Sequence, residues 1–348
     1  MRVAGWEVRE PGRPMVLAER EERAGAGEVI VEVAGCGVCH TDLGYFYEGV
    51  PTRHPFPLVL GHEISGRVVE AGDGAASWLG RSVVVPAVIP CGTCPACLDG
   101  RGSVCPKQIF PGNDVHGGFA THVRVPARGL CPVPEGADLV ALAVIADAVS
   151  TPYQAIARSG LGAGDVAVFV GAGGVGGFGV QVAAALGAHV IALDVDDAKL
   201  AALREHGAAA TWNVAATELK ELRKRVRRFA EERGVPTWRT KIFETSGTPA
   251  GQATAFGLLA HGGWLGVVGF TPKSVEVRLS NLMAFDAVAQ GTWGCAPELY
   301  PEIVRLVVEG KIALEPFVER RPLASVNTTF EDLHARRVAR RVILVPEA

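Results

Sequence analysis

The pattern of apolar and polar positions changes near residue 150 of this 348-residue chain. Before that point, short valine-containing runs at residues 28–33, 66–69 and 83–85 stand in a region rich in valine, glycine and proline. Short β-branched runs bounded by turn residues are typical of strands in a sandwich or barrel. We therefore expect a barrel-like β domain in the first part of the chain.

A different pattern begins after Asp165. Val166–Val170 is apolar without interruption, a glycine-rich turn follows, an alanine-rich helical pattern runs to Leu186, and residues 190–193 form a second apolar run. Uninterrupted apolar strands on either side of a helix are typical of parallel strands buried on both faces. This segment predicts a β-α-β unit and hence an α/β domain with a doubly wound parallel sheet.

The pattern continues with two more candidate strands and a helix. The candidate strands, residues 240–243 and 264–268, end near Gly247 and Gly269, as strands do where their carboxyl ends meet a ligand. A helical pattern covers residues 297–309, and a last apolar run covers residues 342–345. We expect the first two runs to extend the parallel sheet.

The charge and composition of the chain argue against nucleic acid and membranes as binding partners. The formal net charge is −3, and 48% of the residues are hydrophobic. This balance gives no overall attraction to nucleic acid or anionic membranes, and no apolar run has transmembrane length. The first residues, including Glu7, contain acid and lack a continuous apolar core, so we expect no secretory signal. We therefore expect a cytoplasmic globular protein without nucleic-acid or membrane partners.

Six basic residues lie between Lys220 and Arg228 and could form a phosphate-binding patch. Acidic residues flank them on both sides at spacings that allow ion pairs one helical turn apart. We therefore favour a solvated helix face over a phosphate site.

Four of the eight cysteines fall in the pattern C-x2-C-x2-C-x7-C. They are Cys91, Cys94, Cys97 and Cys105. Four thiolates complete the tetrahedral coordination of Zn²⁺ and leave no position for substrate, so this pattern predicts a structural zinc site. Cysteines at metal-ligand spacing without an export signal also favour a reducing compartment over disulfides.

Residues 171–176 match the dinucleotide fingerprint G-x-G-x-x-G between a predicted strand and a predicted helix. The residues expected to face the coenzyme pyrophosphate are Gly171, Gly173, Gly174, Val175 and Gly176. Asp194 ends the next predicted strand, where a carboxylate accepts hydrogen bonds from ribose hydroxyls and repels a 2′-phosphate. The segment therefore predicts NAD, and the alternative is a tight turn with close packing.

A second candidate metal site lies upstream. Cys39 and His62 offer the thiolate and imidazole that suit zinc, and a catalytic zinc needs three protein ligands and one open position. Asp42 and Glu63 are placed to orient the ligands. Spacing alone does not name the third ligand.

These residues together resemble the zinc-containing medium-chain alcohol dehydrogenase family over essentially the whole chain. The fragments that carry the resemblance are residues 35–42, 61–63 with Gly66 and Gly72, the four-cysteine lobe, and residues 171–177. The resemblance implies a GroES-like β-barrel catalytic domain at residues 1–149 and 295–348, with the zinc lobe at about 90–106. It also implies a Rossmann domain at residues 150–294.

The same resemblance implies the functional residues. Asp147 takes the place of the third ligand of the catalytic zinc, often cysteine in the family, and Glu63 is an alternative ligand in some states. Thr41 takes the position of the hydroxyl that hydrogen-bonds the substrate alcohol and begins a proton relay, whereas Gly44 stands where many relatives carry the relay histidine. To the coenzyme we further assign His40, Lys199 and Arg341.

A narrower resemblance lies in residues 41–50, 111–120 and 332–337, which are similar to 6-hydroxycyclohex-1-ene-1-carbonyl-CoA dehydrogenases. It implies oxidation of a ring hydroxyl by NAD, with zinc polarising the alcohol and two zinc ions per subunit. The alternatives are a zinc alcohol or polyol dehydrogenase acting on a substrate without CoA, and a non-catalytic zinc and nucleotide-binding protein. The family resemblance also implies a homodimer or homotetramer.

Overall fold

The computed structural model describes residues 1–347 and divides them into two compact units. The first unit contains Met1–Ser150, Gly294–Val308 and residues 314–347, and the second contains Thr151–Trp293 and Glu309–Ala313. The segment Glu309–Ala313, which the sequence assigned to the first domain, packs in the second unit because the Gln181 amide exchanges two hydrogen bonds with the Ala313 backbone.

The first unit begins with eight strands and three helices. The strands are β1 (Arg2–Val8), β2 (Val16–Glu21), β3 (Glu28–Gly37), β4 (Leu58–Val59), β5 (Glu63–Ala71), β6 (Ser82–Val85), β7 (His122–Pro126) and β8 (Cys131–Pro132). The helices are α1 (His40–Tyr47), α2 (Pro95–Leu98) and α3 (Leu139–Leu142), and a 3₁₀ turn, Ala143–Ala146, follows α3.

The second unit is an alternation of strands and helices. Its helices are α4 (Ser150–Ser159), α5 (Gly174–Ala185), α6 (Asp197–Glu205), α7 (Leu219–Glu231), α8 (Pro249–Gly257) and α9 (Ser280–Phe285). Its strands are β9 (Val166–Val170), β10 (His189–Asp194), β11 (Ala208–Asn213), β12 (Thr240–Glu244), β13 (Trp264–Val267) and β14 (Val288–Gly291). The chain then returns to the first unit with α10 (Tyr300–Val308), β15 (Val318–Pro322), α11 (Val326–His334) and β16 (Arg341–Val345).

The sheets of the first unit bring distant segments side by side. A three-stranded sheet has the order β2-β1-β4, and a larger sheet has the order β15-β16-β3-β5-β6-β8 with β7 also paired to β3. In the larger sheet, Gly37 of β3 pairs with Glu63 of β5 on one side and Ile343 of β16 on the other. The sheets enclose an apolar core that includes Ile64, Phe119 and Phe330. This unit is the GroES-like part of the expected fold.

The sheet of the second unit has the order β11-β10-β9-β12-β13-β14, and all its strands are parallel. This is the doubly wound Rossmann order, in which the direction of winding reverses between β9 and β12. Residues Val166–Val170 are buried throughout, as a strand covered on both faces should be. The predicted fold class, a β-barrel domain with a Rossmann domain, is confirmed.

Two local predictions, the helix at residues 297–309 and the basic helix face, can be compared with the structure. The predicted helix at residues 297–309 begins as a 3₁₀ turn, Pro297–Leu299, and becomes α-helical only at Tyr300. The basic segment lies on α7, whose apolar side is buried, and Arg225–Glu221 and Arg227–Glu231 pair at 3.4 and 2.7 Å. The interpretation of a solvated, ion-paired helix face is therefore confirmed.

Within residues 1–347, no single helix has the length and apolar composition of a membrane span. A bent pair, Leu139–Ala146 with Ser150–Ser159, reaches them only jointly.

Candidate metal centres and coenzyme site

Four potential metal ligands meet in the first unit. Cys39, His62, Glu63 and Asp147 each place a ligand atom within 4.8 Å of those of the other three. Cys39 is the N-cap of α1, two residues after β3. His62 precedes β5, Glu63 is the first residue of β5, and Asp147 follows the 3₁₀ turn after α3. The pairing of β3 with β5 therefore assembles residues that the sequence holds far apart.

The distances fit a zinc ion bound by Cys39, His62 and Asp147. The Asp147 Oδ2 atom lies 3.4 Å from Cys39 Sγ and 3.5 Å from His62 Nε2. Ligand atoms placed tetrahedrally around zinc at their usual bond lengths are about 3.3–3.8 Å apart. One thiol, one imidazole and one carboxylate also form a donor set that leaves a coordination position open. The three residues thus match the requirements of a catalytic zinc.

Asp42 connects the two segments that carry Cys39 and His62. Its side chain is fully buried, and it accepts hydrogen bonds from Cys39 N at 2.9 Å and Gly61 N at 3.1 Å. Its Oδ1 lies 3.3 Å from His62 Nδ1, an ion-pair distance that does not meet hydrogen-bond geometry. Burial disfavours the imidazolium, but Asp42 and then Asp147 outweigh it and raise the pKa of His62. The two carboxylates near His62 therefore favour its positively charged imidazolium form.

Glu63 is held by partners on two sides. It is fully buried, its Oε1 accepts a hydrogen bond from Ala148 N at 3.0 Å, and Arg341 binds both carboxylate oxygens, with Nε 3.0 Å from Oε2. A Cβ atom on Gly37 would lie 1.9 Å from Glu63 Oε2, so only glycine leaves room for this carboxylate. Glu63 therefore stands beside the cluster as an ion-pair partner, and its direct ligation of zinc stays a prediction.

Arg341 has a position that the sequence did not indicate. It is 6% exposed, it pairs with Glu63, and its Nη2 lies 3.8 Å from Asp147 Oδ2. Burial lowers the pKa of its guanidinium, but Glu63 and the neighbouring acidic groups outweigh burial and raise it. Arg341 thus supports the metal cluster, and its assignment to the coenzyme stays a prediction.

The start of α1 carries the other residues predicted near the substrate. Thr41 Oγ1 lies 3.6 Å from Cys39 Sγ, and His40 is exposed at the first position of the helix. Gly44 lies on the same helix face as Thr41, three residues on. A Cβ atom on Gly44 would meet Val50 Cγ2 only at 3.4 Å, so no steric conflict requires glycine there.

The four cysteines of the lobe also converge. The Sγ atoms of Cys91 and Cys97 are 3.9 Å apart, those of Cys94 and Cys97 3.5 Å, and those of Cys94 and Cys105 3.6 Å. Thiolates around tetrahedral zinc are separated by about 3.8 Å, whereas a disulfide requires about 2 Å. All four are free thiols. The spacing therefore fits a structural zinc.

The lobe supplies backbone donors to its sulfur atoms. Hydrogen bonds from the Thr93 backbone, the Thr93 hydroxyl and the Cys94 backbone lower the pKa of Cys91 to about 5. Burial raises the pKa of Cys97 to about 12, together with hydrogen bonds to neighbouring thiols. One ligand is thus ready as a thiolate, whereas another must lose its proton when metal binds.

The glycine loop between β9 and α5 shows three different reasons for glycine. Gly171 has φ +102°, and a Cβ there would lie 2.6 Å from the Ser246 backbone. A Cβ on Gly176 would lie 1.8 Å from the Gly171 carbonyl oxygen, but one on Gly173, the N-cap of α5, would meet no atom within 4 Å. Open space above Gly173 at a helix N-terminus is what a pyrophosphate requires. Gly174 and Val175 form the first turn of α5.

Asp194 stands beside this loop at the end of β10. Its Oδ2 accepts a hydrogen bond from Ala172 N at 2.6 Å, and its Oδ1 accepts from Val195 N and Asp196 N at 2.8 and 3.0 Å. Lys199 lies in the first turn of α6, where its backbone N–H donates to the capping Asp196 side chain. The fingerprint and its acidic residue are therefore brought together, as predicted.

Sequence reasoning missed Glu244, the last residue of β12. It is fully buried beside the turn that packs on Gly171. A carboxylate directly after the apolar pair Ile242 and Phe243 was the available signal.

Comparison with known proteins agrees with this architecture. Residues 25–135 match the alcohol dehydrogenase GroES-like domain family, and residues 174–309 match the zinc-binding dehydrogenase family. An alcohol dehydrogenase of Geobacillus stearothermophilus is 30% identical over 341 residues, covering 97% of this chain and 95% of the relative. Galactitol 1-phosphate 5-dehydrogenase of Escherichia coli is 27% identical, with 92% of each chain covered.

A solved structure gives the same result. The crystal structure of an alcohol dehydrogenase from Thermotoga maritima superimposes with a TM-score of 0.89, 28% identity and full coverage of both chains. The family matches fall in both units, and one relative is 30% identical over nearly the whole chain. This chain therefore shares ancestry as well as fold with these proteins. This chain belongs to the zinc-dependent alcohol dehydrogenase family and is an oxidoreductase.

Proposed function

We propose that this oxidoreductase transfers a hydride from a secondary alcohol to NAD, and that its substrate is 6-hydroxycyclohex-1-ene-1-carbonyl-CoA. The observation that carries hydride transfer is the convergence of Cys39, His62 and Asp147 at zinc-ligand distances. The choice of a CoA thioester is supported only by the similarity of residues 41–50, 111–120 and 332–337 to dehydrogenases of that substrate. Hydride transfer to NAD and the choice of a CoA thioester as substrate therefore need separate tests.

Cys39, His62 and Asp147 would hold the zinc, which would supply a Lewis acid that lowers the pKa of an alcohol, and NAD would supply the hydride acceptor. Asp42 keeps the ligand-bearing segments in register through its two backbone hydrogen bonds. The Thr41 hydroxyl, 3.6 Å from Cys39 Sγ, is placed to accept the proton that the alcohol loses. Gly44 offers no side chain to pass that proton on, so water or another group receives it from Thr41.

The preference for NAD rests on Asp194. Its carboxylate already accepts three backbone hydrogen bonds beside the glycine loop, which hold the side chain in place. A carboxylate fixed there accepts hydrogen bonds from the ribose hydroxyls of NAD and repels the 2′-phosphate of NADP.

A second candidate substrate is a polyol or simple secondary alcohol without CoA. The relatives named galactitol 1-phosphate 5-dehydrogenase and alcohol dehydrogenase support it, because their matches cover 92% and 97% of this chain. The two candidates share the zinc chemistry and differ only in what surrounds the carbinol.

The test is NADH formation by zinc-loaded protein offered the CoA thioester, the same ring alcohol as its free acid, and a panel of polyols and secondary alcohols. We expect selective turnover of the thioester; turnover confined to free alcohols would reject the CoA assignment. Cys39→Ser should lower kcat about a hundredfold or more, because loss of a residue that only orients a metal ligand already costs about 10–100-fold. Cys131→Ser makes the same change in a buried cysteine outside both clusters and is the matched control.

We also propose that the protein is a homodimer or homotetramer joined through its coenzyme domains. All four residues of the edge strand β14 are exposed, and exposed Leu279 and Met283 lie beside it in the chain. An exposed edge of a parallel sheet is a template for pairing with a second copy. Light scattering on the purified chain tests this, and a monomer at micromolar concentration would reject it.

Eight free cysteines also support a place in the reducing cytoplasm.

A further inference from the structure

A small cavity lies in the first unit, lined by residues that belong to neither metal cluster. Its volume is about 100 Å³, and its walls are Glu22, His54, Val115, His116 and Arg124. One water molecule needs about 10–15 Å³ by the same measure, so the cavity has room for several water molecules or one small ligand. All but one of the wall residues carry polar or ionisable side chains, which disfavours an apolar ligand.

The two histidines of the cavity are held by the backbone around them. His54 N donates to the Asn113 carbonyl at 2.8 Å, which joins the two loops that carry the histidines. Their imidazole rings have centroids 5.2 Å apart. Val59 N donates to His116 Nδ1 at 3.2 Å, so the neutral ring carries its proton on Nε2. Within residues 1–347 no group accepts a hydrogen bond from that Nε2–H, which is therefore available to a ligand.

Positive charge around the cavity is incompletely balanced. Glu22 is the one acidic wall residue, and Arg20 Nε and Arg124 Nε lie 2.9 and 3.2 Å from its two carboxylate oxygens. Arg124 also pairs with Glu28 at 3.3 Å, whereas the buried Arg20 Nη1 has no hydrogen-bond partner within residues 1–347. The pKa of His116 is lowered to about 4, first by burial and next by the charge of Arg20. The surroundings of His116 thus disfavour a further cation and attract an anion.

We propose that this cavity binds a phosphate group, either as inorganic phosphate or as the phosphate monoester of a larger ligand. A phosphate brings negative charge to the arginines and acceptor oxygens to the His116 Nε2–H. His54 Nδ1 donates to the Pro55 carbonyl at 2.6 Å, so its Nε2 can accept the P–O–H proton of hydrogen phosphate. Chloride has no such proton, and a carboxylate has fewer oxygens, so phosphate uses more of the walls.

Coenzyme A is the larger ligand to test. It carries a 3′-phosphate, and residues 111–120, which contain His116, share the similarity to dehydrogenases of a CoA thioester. This source of the phosphate rests on the proposed function, whereas inorganic phosphate requires neither that substrate nor hydride transfer. Comparison of CoA with dephospho-CoA, which lacks only the 3′-phosphate, separates the two sources.

The test is calorimetric titration of the zinc-loaded full-length chain with inorganic phosphate, at constant ionic strength and with saturating NADH to keep phosphate from the glycine loop. We expect saturable binding. Arg124→Met removes a wall cation whose side chain is 44% exposed, and it should weaken phosphate about tenfold or more, because a hydrogen bond to a charged group is lost. Arg2→Met is the matched control: it removes an exposed arginine, paired with Glu19, outside the cavity, and should change the affinity less than about twofold.

The variants decide the outcome. Absence of saturable phosphate binding by the wild type, or equal weakening by Arg124→Met and Arg2→Met, overturns the inference. If Arg124→Met melts below the wild type, His54→Gln changes another, half-buried wall residue and must weaken phosphate as well. Tighter binding of CoA than of dephospho-CoA, lost in Arg124→Met, assigns the phosphate to CoA, whereas equal affinity assigns the cavity to inorganic phosphate. None of these results depends on turnover, so rejection of the proposed substrate leaves the phosphate site in place.

Discussion

Replacement of Arg341 by methionine should destabilise the first unit strongly. Arg341 supplies two of the three hydrogen bonds that Glu63 receives, and only Ala148 N, 3.0 Å from Oε1, would remain. A fully buried carboxylate with one donor must stay charged at high cost or take up a proton. Protonation of a carboxyl of ordinary pKa 4.5 at pH 7 costs about 3.4 kcal/mol, and removal of one partner of a buried ion pair costs about 3–5 kcal/mol. The two estimates agree.

The assay is urea unfolding of the zinc-loaded protein, with the first transition followed by circular dichroism. We expect Arg341→Met to lose about 3–5 kcal/mol at pH 7, or about 10 °C in melting temperature. In the variant, the pKa of Glu63 rises further above its unfolded value, so the folded state binds more protons than the unfolded one between those two values. Stability is then present at low pH and is lost as pH rises, so the deficit against the wild type should shrink towards pH 5.

A second substitution separates charge from shape. Glu63→Gln combined with Arg341→Met removes both charges, and it should recover at least half of the loss because no uncompensated charge remains. A loss below about 1 kcal/mol for Arg341→Met, or a deficit that is the same at pH 7 and pH 5, would refute the argument.

Three further changes test other parts of the structure. Cys97→Ser should lower the zinc content by one ion per chain and lower the melting temperature, because structural metal binding contributes folding energy; unchanged metal content by atomic absorption would count against the lobe. Burial lowers the pKa of His116 to about 4, so the folded state should lose stability as pH drops from 6.5 to 4. We expect a loss of about 1–2 kcal/mol, a value reduced for the partial exposure of the side chain. Melting temperatures measured over this pH range should show the loss in the wild type and not in His116→Asn. Asp194→Ser should reduce the ratio of kcat/KM for NAD to that for NADP about tenfold or more, and an unchanged ratio would place coenzyme selection elsewhere.

Local patterns predicted the elements that owe their form to local chemistry. Val166–Val170 could be read directly, because a strand buried on both faces is apolar without interruption. The cysteine lobe could also be read, because its ligands lie within one short segment and their spacing reflects the geometry of the metal. Pro297–Leu299 was placed in a helix because a sequence pattern does not separate a 3₁₀ turn from the α-helix that follows it.

Contacts between distant segments could not be read in the same way. Asp147 was named only through family resemblance, because no spacing relates it to Cys39, 108 residues away. The pairing of Arg341 with Glu63 spans 278 residues and depends on β16 lying beside β3. Glu244 looked like an ordinary strand end, because only the packed structure reveals that one of its oxygens has no partner.

The position of β16 also has a consequence for how the protein is made. β16 lies between β15 and β3 in the large sheet of the first unit, and it delivers Arg341 to the buried Glu63. Domains generally fold as units while the ribosome extends the chain from its N-terminus. The second unit has nearly all its residues in one continuous stretch, so it can fold as soon as that stretch has emerged. The metal-binding unit, although it starts first, must wait with an incomplete sheet and an unpaired Glu63 until translation has passed Val345.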